Sequence, residues 1–260
     1  MKPSIASLTI CILDDPGYKA SWYFFKEMEK FIPEYLPTKI DQYKIKDKEF
    51  KLTSADDFKK YWDLEIWFKK KGFLNGVVFL NNFRINHTKF DCELQLKKLN
   101  TQAPLLEFFL SANKTLKSDI SVLQFPFKEE QSFRVASESG GWDVWQEMTF
   151  APIRLRKYLP NLYSCQVFGK SYVDLFGMDK LLSAPAPIVK KLSEHQVYLQ
   201  LNKDLDDISY EELETNRALI KKHLGEDAFF QIEKGRDYKY RVPNFPPLPE
   251  PKGEFHITIG

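Results

Sequence analysis

Aromatic side chains are the feature that most limits how this chain can fold. The sequence holds 22 Phe, 12 Tyr and 5 Trp, which make up 15% of its 260 residues. These side chains contribute large apolar areas when they are buried, so we expect a chain this rich in them to fold around an extensive core. A disordered chain lacks that apolar area, and 15 Pro with 11 Gly in no repeating pattern exclude a collagen-like chain.

The charges of the chain are nearly balanced, with 38 Lys and Arg against 36 Asp and Glu and a net charge of +2. This balance gives no field that would attract nucleic acid or a membrane surface, so we expect neither as a partner. No stretch approaches the roughly 20 apolar residues of a membrane helix. Asp14 and Asp15 follow the N-terminal apolar run, which predicts a first strand rather than a signal peptide. The chain is therefore predicted to be cytoplasmic.

The three cysteines, Cys11, Cys92 and Cys165, are far apart in the sequence. An odd number cannot all pair, and none forms a CxxC redox or zinc motif. Cys11 and Cys92 lie in apolar or alternating runs that favour burial. We expect three reduced thiols in the core.

Periodic apolar patterns predict an α+β fold, with a mixed or antiparallel sheet, or sheets, flanked by helices. The clearest strands are 5–13, 73–80, 89–96 and 195–202, and a helix is predicted over 20–32. The polar stretch from 129 to 145 suggests a boundary between an N-terminal α+β half, residues 1–130, and a C-terminal α+β half, residues 131–260. The two halves can be similar, and they can also form one compact domain.

Helix signals are strongest over 207–224, where Ser209 and Glu212 fit a capping box and Gly225 ends the pattern. Arg217 lies on the apolar face of this helix, so we expect its stem to pack and its guanidinium to reach a carboxylate. A partner contact is the alternative interpretation.

Three further segments complete the prediction. A helix opened by Ser54 is expected to continue through Phe68 and to end at the lysines 69–71, which would complement the helix dipole. A short helix is predicted over 186–193, and a strand over 172–176. A Pro-rich, extended tail is predicted at 243–251.

No motif for catalysis, metal or cofactor binding is complete in the sequence. The histidines at 87, 195, 223 and 256 form no metal-binding pair, and no cofactor motif is present, so we expect no metal and no cofactor. Gly169-Lys170-Ser171 resembles the end of a P-loop, but it lacks the upstream glycine, and we expect a strand after it. We therefore reject it.

One fragment has a catalytic pattern. His256 and Thr258 match the H-x-T element of two-histidine phosphoesterases. That chemistry needs a second histidine as the other proton-transfer group, and no second element is present. The chain is therefore not expected to be an enzyme.

The segment 138–147 holds two tryptophans three residues apart in a Gly-containing, acidic stretch. If it is exposed, Glu138, Trp142, Asp143 and Trp145 would form a partner-binding patch, because Trp dominates binding hot spots. If it is buried, the tryptophans belong to the core. A second candidate patch is the acidic run Asp204, Asp206, Asp207, Glu211 and Glu212, which we interpret first as charge at a helix N-terminus.

The order of motifs from 162 to 230 resembles the C-terminal part of bacterial immunity proteins from polymorphic-toxin and interbacterial-competition systems. The motifs are Leu162-Tyr163, Val167-Phe168-Gly169, Tyr172-Val173-Asp174-Leu175-Phe176-Gly177, Leu181-Leu182 with Pro185-Ala186, Tyr198-Leu199-Gln200-Leu201, Arg217, Lys221-Lys222-His223-Leu224-Gly225 and Phe229-Phe230.

This resemblance implies a cytoplasmic, non-enzymatic protein that binds and neutralises a cognate protein toxin. It implies no particular binding residues, because such interfaces differ between members. Two alternatives stay open at this point. One is a phosphoesterase-like enzyme that uses His256, and the other is an assembly module that docks elsewhere through its Pro-rich tail.

Overall fold

The computed structural model of the chain describes residues 2–13, 15–42, 45–51, 53–62, 65–81, 84–131 and 150–250. Within these ranges, ten strands form one open sheet, and every neighbouring pair of strands is antiparallel. The same ranges contain six α-helices. The α+β class predicted from the sequence is confirmed.

The elements are short, and strands outnumber helices. The strands are β1 (Ile5–Leu13), β2 (Lys39–Gln42), β3 (Ile45–Glu49), β4 (Glu65–Lys70), β5 (Leu74–Phe79), β6 (His87–Gln95), β7 (Ile120–Gln124), β8 (Cys165–Phe168), β9 (Ile188–Ser193) and β10 (Gln196–Gln200). The helices are α1 (Gly17–Phe31), α2 (Ala55–Lys59), α3 (Ala103–Leu116), α4 (Lys170–Phe176), α5 (Met178–Leu182) and α6 (Tyr210–Leu224). The strand order across the sheet is β3-β2-β4-β5-β6-β1-β7-β8-β10-β9.

Helices α1 and α3 cover one face of the sheet through aromatic contacts. The ring of Phe24 in α1 lies 6.3 Å from Phe68 of β4, 4.9 Å from Phe90 of β6 and 5.4 Å from Phe108 of α3, measured between ring centroids. All four side chains are almost completely buried. This cluster accounts for part of the aromatic excess and defines the first face of the sheet.

Helix α4 of the C-terminal half lies on the second face. Side chains alternate along a strand, so Lys89 faces away from Phe90 and from α1. Paired residues share a face, and the register links Lys89 to Cys11, Cys11 to Ile120, and Ile120 to Phe168. The Phe168 ring lies 5.7 Å from Tyr172 of α4. Helix α4 therefore lies on the face opposite α1.

The pairing of β7 with β8 joins strands from both halves of the chain in one sheet. Ile120 pairs with Phe168, and Leu123 pairs with Cys165. The division at residues 130 and 131 stays a prediction, because a shared sheet is compatible with one folding unit or with two that pack edge to edge.

The predicted long helix after Ser54 is wrong in its second part. Helix α2 ends at Lys59, and Glu65–Lys70 forms strand β4. Ile66 and Phe68 are buried whereas Trp67 between them is 48% exposed, which is the alternation of a strand. The lysines that follow do not end a helix, and Lys69 pairs with Asp41 of β2 at 3.1 Å. The helix-dipole explanation of this lysine run is therefore wrong.

Two secondary-structure predictions in the C-terminal half are wrong, each having the opposite type of element. The predicted helix at 186–193 is strand β9, which pairs with β10, and the predicted strand at 172–176 lies in helix α4. Gly169 is the N-cap of α4, so the Gly169-Lys170-Ser171 sequence does follow a strand and open a helix. Rejection of a P-loop now depends on the missing upstream glycine alone.

Other local predictions are confirmed. The Ser209 hydroxyl accepts a hydrogen bond from the Glu212 amide at 3.3 Å and caps α6. Cys11, Cys92 and Cys165 are all free and buried. No helix among the described residues has the length and apolar character that crossing a membrane requires.

Candidate protein-binding surface

Part of the second face carries no helix from the described part of the chain. It lies over β4, β5, β6 and β1, and it contains a shallow groove of about 340 Å³. We call this surface the Trp67 face, and its side chains come from Ser7, Trp67, Asn75, Val77, Phe79, Asp91 and Glu93.

An aromatic pair forms the apolar part of the Trp67 face. The Trp67 ring is 48% exposed and lies 6.0 Å from Phe79 in an edge-to-face arrangement. The indole N–H of Trp67 donates to the carboxylate of Glu65. Val77, which is 6% exposed, lies between these aromatic residues on the same face. The aromatic pair is therefore held in one orientation and open to a partner.

An ion pair borders the aromatic pair on the β6 side. Lys89 Nζ lies 2.8 Å from Asp91 Oδ2 and 5.0 Å from the Phe79 ring centroid. The Thr9 hydroxyl donates to the other Asp91 oxygen at 2.9 Å. These bonds fix the charged groups before any partner binds, so ordering them at an interface costs little additional entropy.

An exposed tryptophan packed on a half-buried phenylalanine, next to ordered charges, has the composition typical of protein-binding surfaces. Tryptophan is enriched in binding hot spots, which cluster in the centre of an interface and are surrounded by polar groups. The groove is shallow and open, so it suits a protein surface better than a small ligand, which concave pockets bind.

A buried ion pair lies at the β7 border of this face. Arg217 Nη2 donates to Glu130 Oε1 at 2.9 Å, and Arg217 Nε donates to the Leu162 carbonyl at 2.6 Å. Gln124 donates to Glu130 Oε2 at 3.1 Å, and Gln124 pairs in register with Ser7 of the Trp67 face. The prediction that Arg217 reaches a carboxylate is confirmed, although its guanidinium is buried rather than at the surface.

The predicted binding residues Glu138, Trp142, Asp143 and Trp145 lie outside the described residues, so their role stays a prediction. The nearest described residues on either side of this segment lie close to Arg217 and Leu162. Glu130 binds Arg217, and the ring of Phe150 lies 5.7 Å from that of Tyr163, which follows the Leu162 carbonyl in the chain.

Acidic side chains of the run at 204–212 accept hydrogen bonds within the fold. Asp206 accepts hydrogen bonds from the Gln102 amide at 2.6 Å and the Thr101 hydroxyl at 2.7 Å, at the start of α3. Glu212 accepts from the Lys203 amide at 2.9 Å. Asp206 is therefore a charge at a helix N-terminus, as expected, but the helix is α3 and not α6.

A buried His–Asp pair was missed by sequence reasoning. His87 Nε2 lies 3.0 Å from Asp119 Oδ2, and the Ser171 amide donates to Asp119 Oδ1 at 2.9 Å. The pair is 2% and 4% exposed, so no solvent-borne substrate reaches it in this conformation. The two residues are 32 positions apart, and no local motif marks them.

The described residues contain no group of three or more His, Cys, Asp or Glu side chains that could hold a metal ion. The H-x-T element with His256 lies outside the described residues, so the geometry offers no test of it.

Comparisons with known proteins give a likeness of fold. No family model matches the chain, and no curated protein matches its sequence. Among solved structures, the chain is similar to the Pseudomonas aeruginosa T6SS protein PA0821 with a TM-score of 0.52 and 11% sequence identity. The alignment covers 93% of this chain and 78% of that one.

Proposed function

We propose that this protein is a non-enzymatic, immunity-type protein that binds a cognate bacterial toxin and neutralises it. The observation that carries the proposal is the Trp67 face, which no helix of the described residues covers and where the exposed Trp67 and the half-buried Phe79 lie beside ordered charges. In this proposal the face is the centre of the interface. Glu138, Trp142, Asp143 and Trp145 contribute further contacts.

Two independent facts support an immunity role. The order of motifs from 162 to 230 resembles immunity proteins, and the structural neighbour is named a T6SS protein. At 11% identity the neighbour supports a common fold, and its printed name fits interbacterial competition in general.

Neutralisation would follow from surface complementarity. The Trp67 and Phe79 rings would fill an apolar depression on the toxin, and the Lys89–Asp91 pair would set the orientation and the association rate. Binding would then cover or displace the catalytic site of the toxin. No proton transfer by this chain is needed in such a mechanism.

The direct test is co-expression with the toxin encoded by a neighbouring gene, followed by titration calorimetry of the purified pair. We expect the wild-type chain to rescue growth and to bind. Trp67→Ala should weaken binding about 30-fold, because removal of a hot-spot tryptophan costs about 2 kcal/mol.

Tyr23→Ala is the matched control, because Tyr23 on α1 is also 48% exposed but lies on the covered side of the sheet. It should leave the affinity within about twofold of wild type, as expected for a residue outside the interface. A Trp142→Ala and Trp145→Ala double variant tests the segment separately. A protein that neither binds nor rescues against the neighbouring toxin would exclude the proposed function.

A further inference from the structure

The C-terminal segment 243–250 crosses a cleft on the second face near the start of β6. The ring of Phe245 lies 5.3 Å from the His87 ring and 6.2 Å from the Tyr172 ring, edge-to-face with both. His87 and Tyr172 are 2% and 0% exposed. We call this site the Phe245 cleft, formed by Asn86, His87, Arg156 and Tyr172.

Side chains of the cleft bind the backbone of the segment after the aromatic residue. Asn86 Nδ2 donates to the Pro246 carbonyl at 3.0 Å and to the Pro247 carbonyl at 3.2 Å. The Arg156 guanidinium donates to the same Pro246 carbonyl and also to Asn86 Oδ1. The cleft therefore recognises one aromatic side chain and the two carbonyls that follow it.

The segment is held mainly through Phe245 and the two carbonyls that follow it, and more than half of its side chains are exposed. Residues 243–250 form neither helix nor strand, and Asn244, Pro246, Pro247 and Leu248 are exposed. Segments with few buried contacts and little regular hydrogen bonding open at low free-energy cost. The site and its occupant are thus separable parts of the structure.

We propose that the Phe245 cleft is a peptide-binding site for extended aromatic-Pro-Pro segments, and that the chain's own residues 245–247 occupy it in exchange with such peptides. The occupant defines the ligand chemistry. An aromatic ring enters between the rings of His87 and Tyr172, and the two prolines have no N–H group that would need a partner. Prolines also favour the extended conformation that such recognition uses. This proposal does not depend on the toxin-binding proposal.

Asn86 and Arg156 set the specificity for a carbonyl at the first position after the ring. The Tyr172 hydroxyl is buried and has no hydrogen-bond partner among the described residues, so we assign the ring of Tyr172 to the cleft and not its hydroxyl. This difference supplies a matched control within the site.

The test uses full-length chains and a fluorescein-labelled peptide with the sequence of residues 243–250, followed by fluorescence anisotropy. The acceptors are the wild type, Phe245→Ala and the milder Phe245→Leu. Peptide should bind the Phe245→Ala chain at least about tenfold more tightly than the wild type, whose own segment is present at a high effective concentration. The same peptide with alanine in place of its phenylalanine should not bind.

Variants in the Phe245→Ala background locate the site. Asn86→Ala should weaken peptide binding at least about tenfold through loss of carbonyl recognition, and Tyr172→Phe should leave it unchanged. Folded acceptors that do not bind the peptide, or that bind it equally without its phenylalanine, would overturn the proposal. Unfolding of both Phe245 variants would also overturn it, because an exchangeable segment must leave a folded acceptor behind.

Discussion

The guanidinium of Arg217 lies 2.9 Å from the carboxylate of Glu130 although the two residues are 87 positions apart. Arg217 is 3% and Glu130 9% exposed. The pair connects α6 to the short 3₁₀ helix Glu129–Gln131. A buried pair of this kind imposes one arrangement, because either charge alone would be buried without compensation.

We expect Arg217→Met to lower the free energy of unfolding by about 3–5 kcal/mol, because it leaves the Glu130 carboxylate buried without its cation. Urea denaturation followed by tryptophan fluorescence measures this change. The double variant Arg217→Met with Glu130→Leu should recover most of the loss, since both charges are then removed. A loss below about 1 kcal/mol in the single variant would mean that water reaches the pair.

The three cysteines should be unreactive in the folded protein. Burial raises the pKa of the Cys165 thiol to about 12 and places the pKa values of Cys11 and Cys92 well above the ordinary value. The thiolate is the reactive form, so a disulfide reagent at pH 8 should modify no cysteine in buffer and all three in urea. Rapid modification without denaturant would contradict the packing around β1, β6 and β8.

Lys221 on α6 should make stability depend on pH above neutrality. Burial and, to a smaller extent, the charge of nearby Arg217 lower its pKa from 10.5 to about 8, against the opposing charges of Glu214 and Glu226. Between pH 8 and 10 the unfolded chain keeps a proton that the folded chain has lost, so the stability contributed by this group rises with pH. Below pH 8 both states are protonated and the contribution is constant.

The measurement is the urea midpoint of wild type and variants at pH 7, 8, 9 and 9.5, compared as differences, because the thiols of the three buried cysteines ionise in the unfolded chain over the same range and lower stability there. The midpoint of Lys221→Met should fall relative to that of wild type between pH 8 and 9.5, whereas that of Lys222→Met at the exposed neighbouring position should follow wild type. An identical pH profile in wild type and Lys221→Met would show that Lys221 titrates at its ordinary pKa.

The two parts of the Pro-rich tail should differ in their effect on stability. Removal of residues 243–260 withdraws the Phe245 ring from His87 and the Pro246 carbonyl from Asn86 and Arg156, so we expect a loss of about 2–4 kcal/mol. Removal of residues 251–260 alone leaves these contacts in place and should cost less than the longer truncation. Thermal melting of both truncated chains measures the two losses of stability.

This difference also changes how a truncation test of function is interpreted. Loss of toxin protection in the longer truncation implicates the tail only if the truncated chain remains folded. Equal stability of the two truncations would mean that the contacts of Phe245 contribute nothing to folding.

Local signals in the sequence predicted local structure well. Ser54 and Ser209 were identified as helix caps from their own sequence contexts, and both accept the expected amide hydrogen bond. The prediction failed where two periodicities overlapped. Phe58, Tyr61 and Trp62 suit a helix, and Ile66 and Phe68 extend that spacing, but the second pair belongs to a strand whose partners lie elsewhere in the chain.

Sequence patterns did not predict contacts between residues that are far apart in the chain. Nothing near Glu130 indicates that Arg217 will reach it, and nothing near His87 indicates Asp119. The Trp67 face depends on which sheet face each helix covers, and this is decided by the pairing of β7 with β8. Trp67 was accordingly assigned to a helix, and its exposure became visible only in the assembled sheet.

The β7–β8 pairing also means that a complete fold need not come from one polypeptide. A chain divided between residues 131 and 150 would give one fragment with β7 and Glu130 and another with β8 and Arg217. Each fragment would carry half of the same hydrogen-bonded ladder and half of the same ion pair. We therefore expect the two fragments to complete the fold only when they associate, as split-fragment complementation requires.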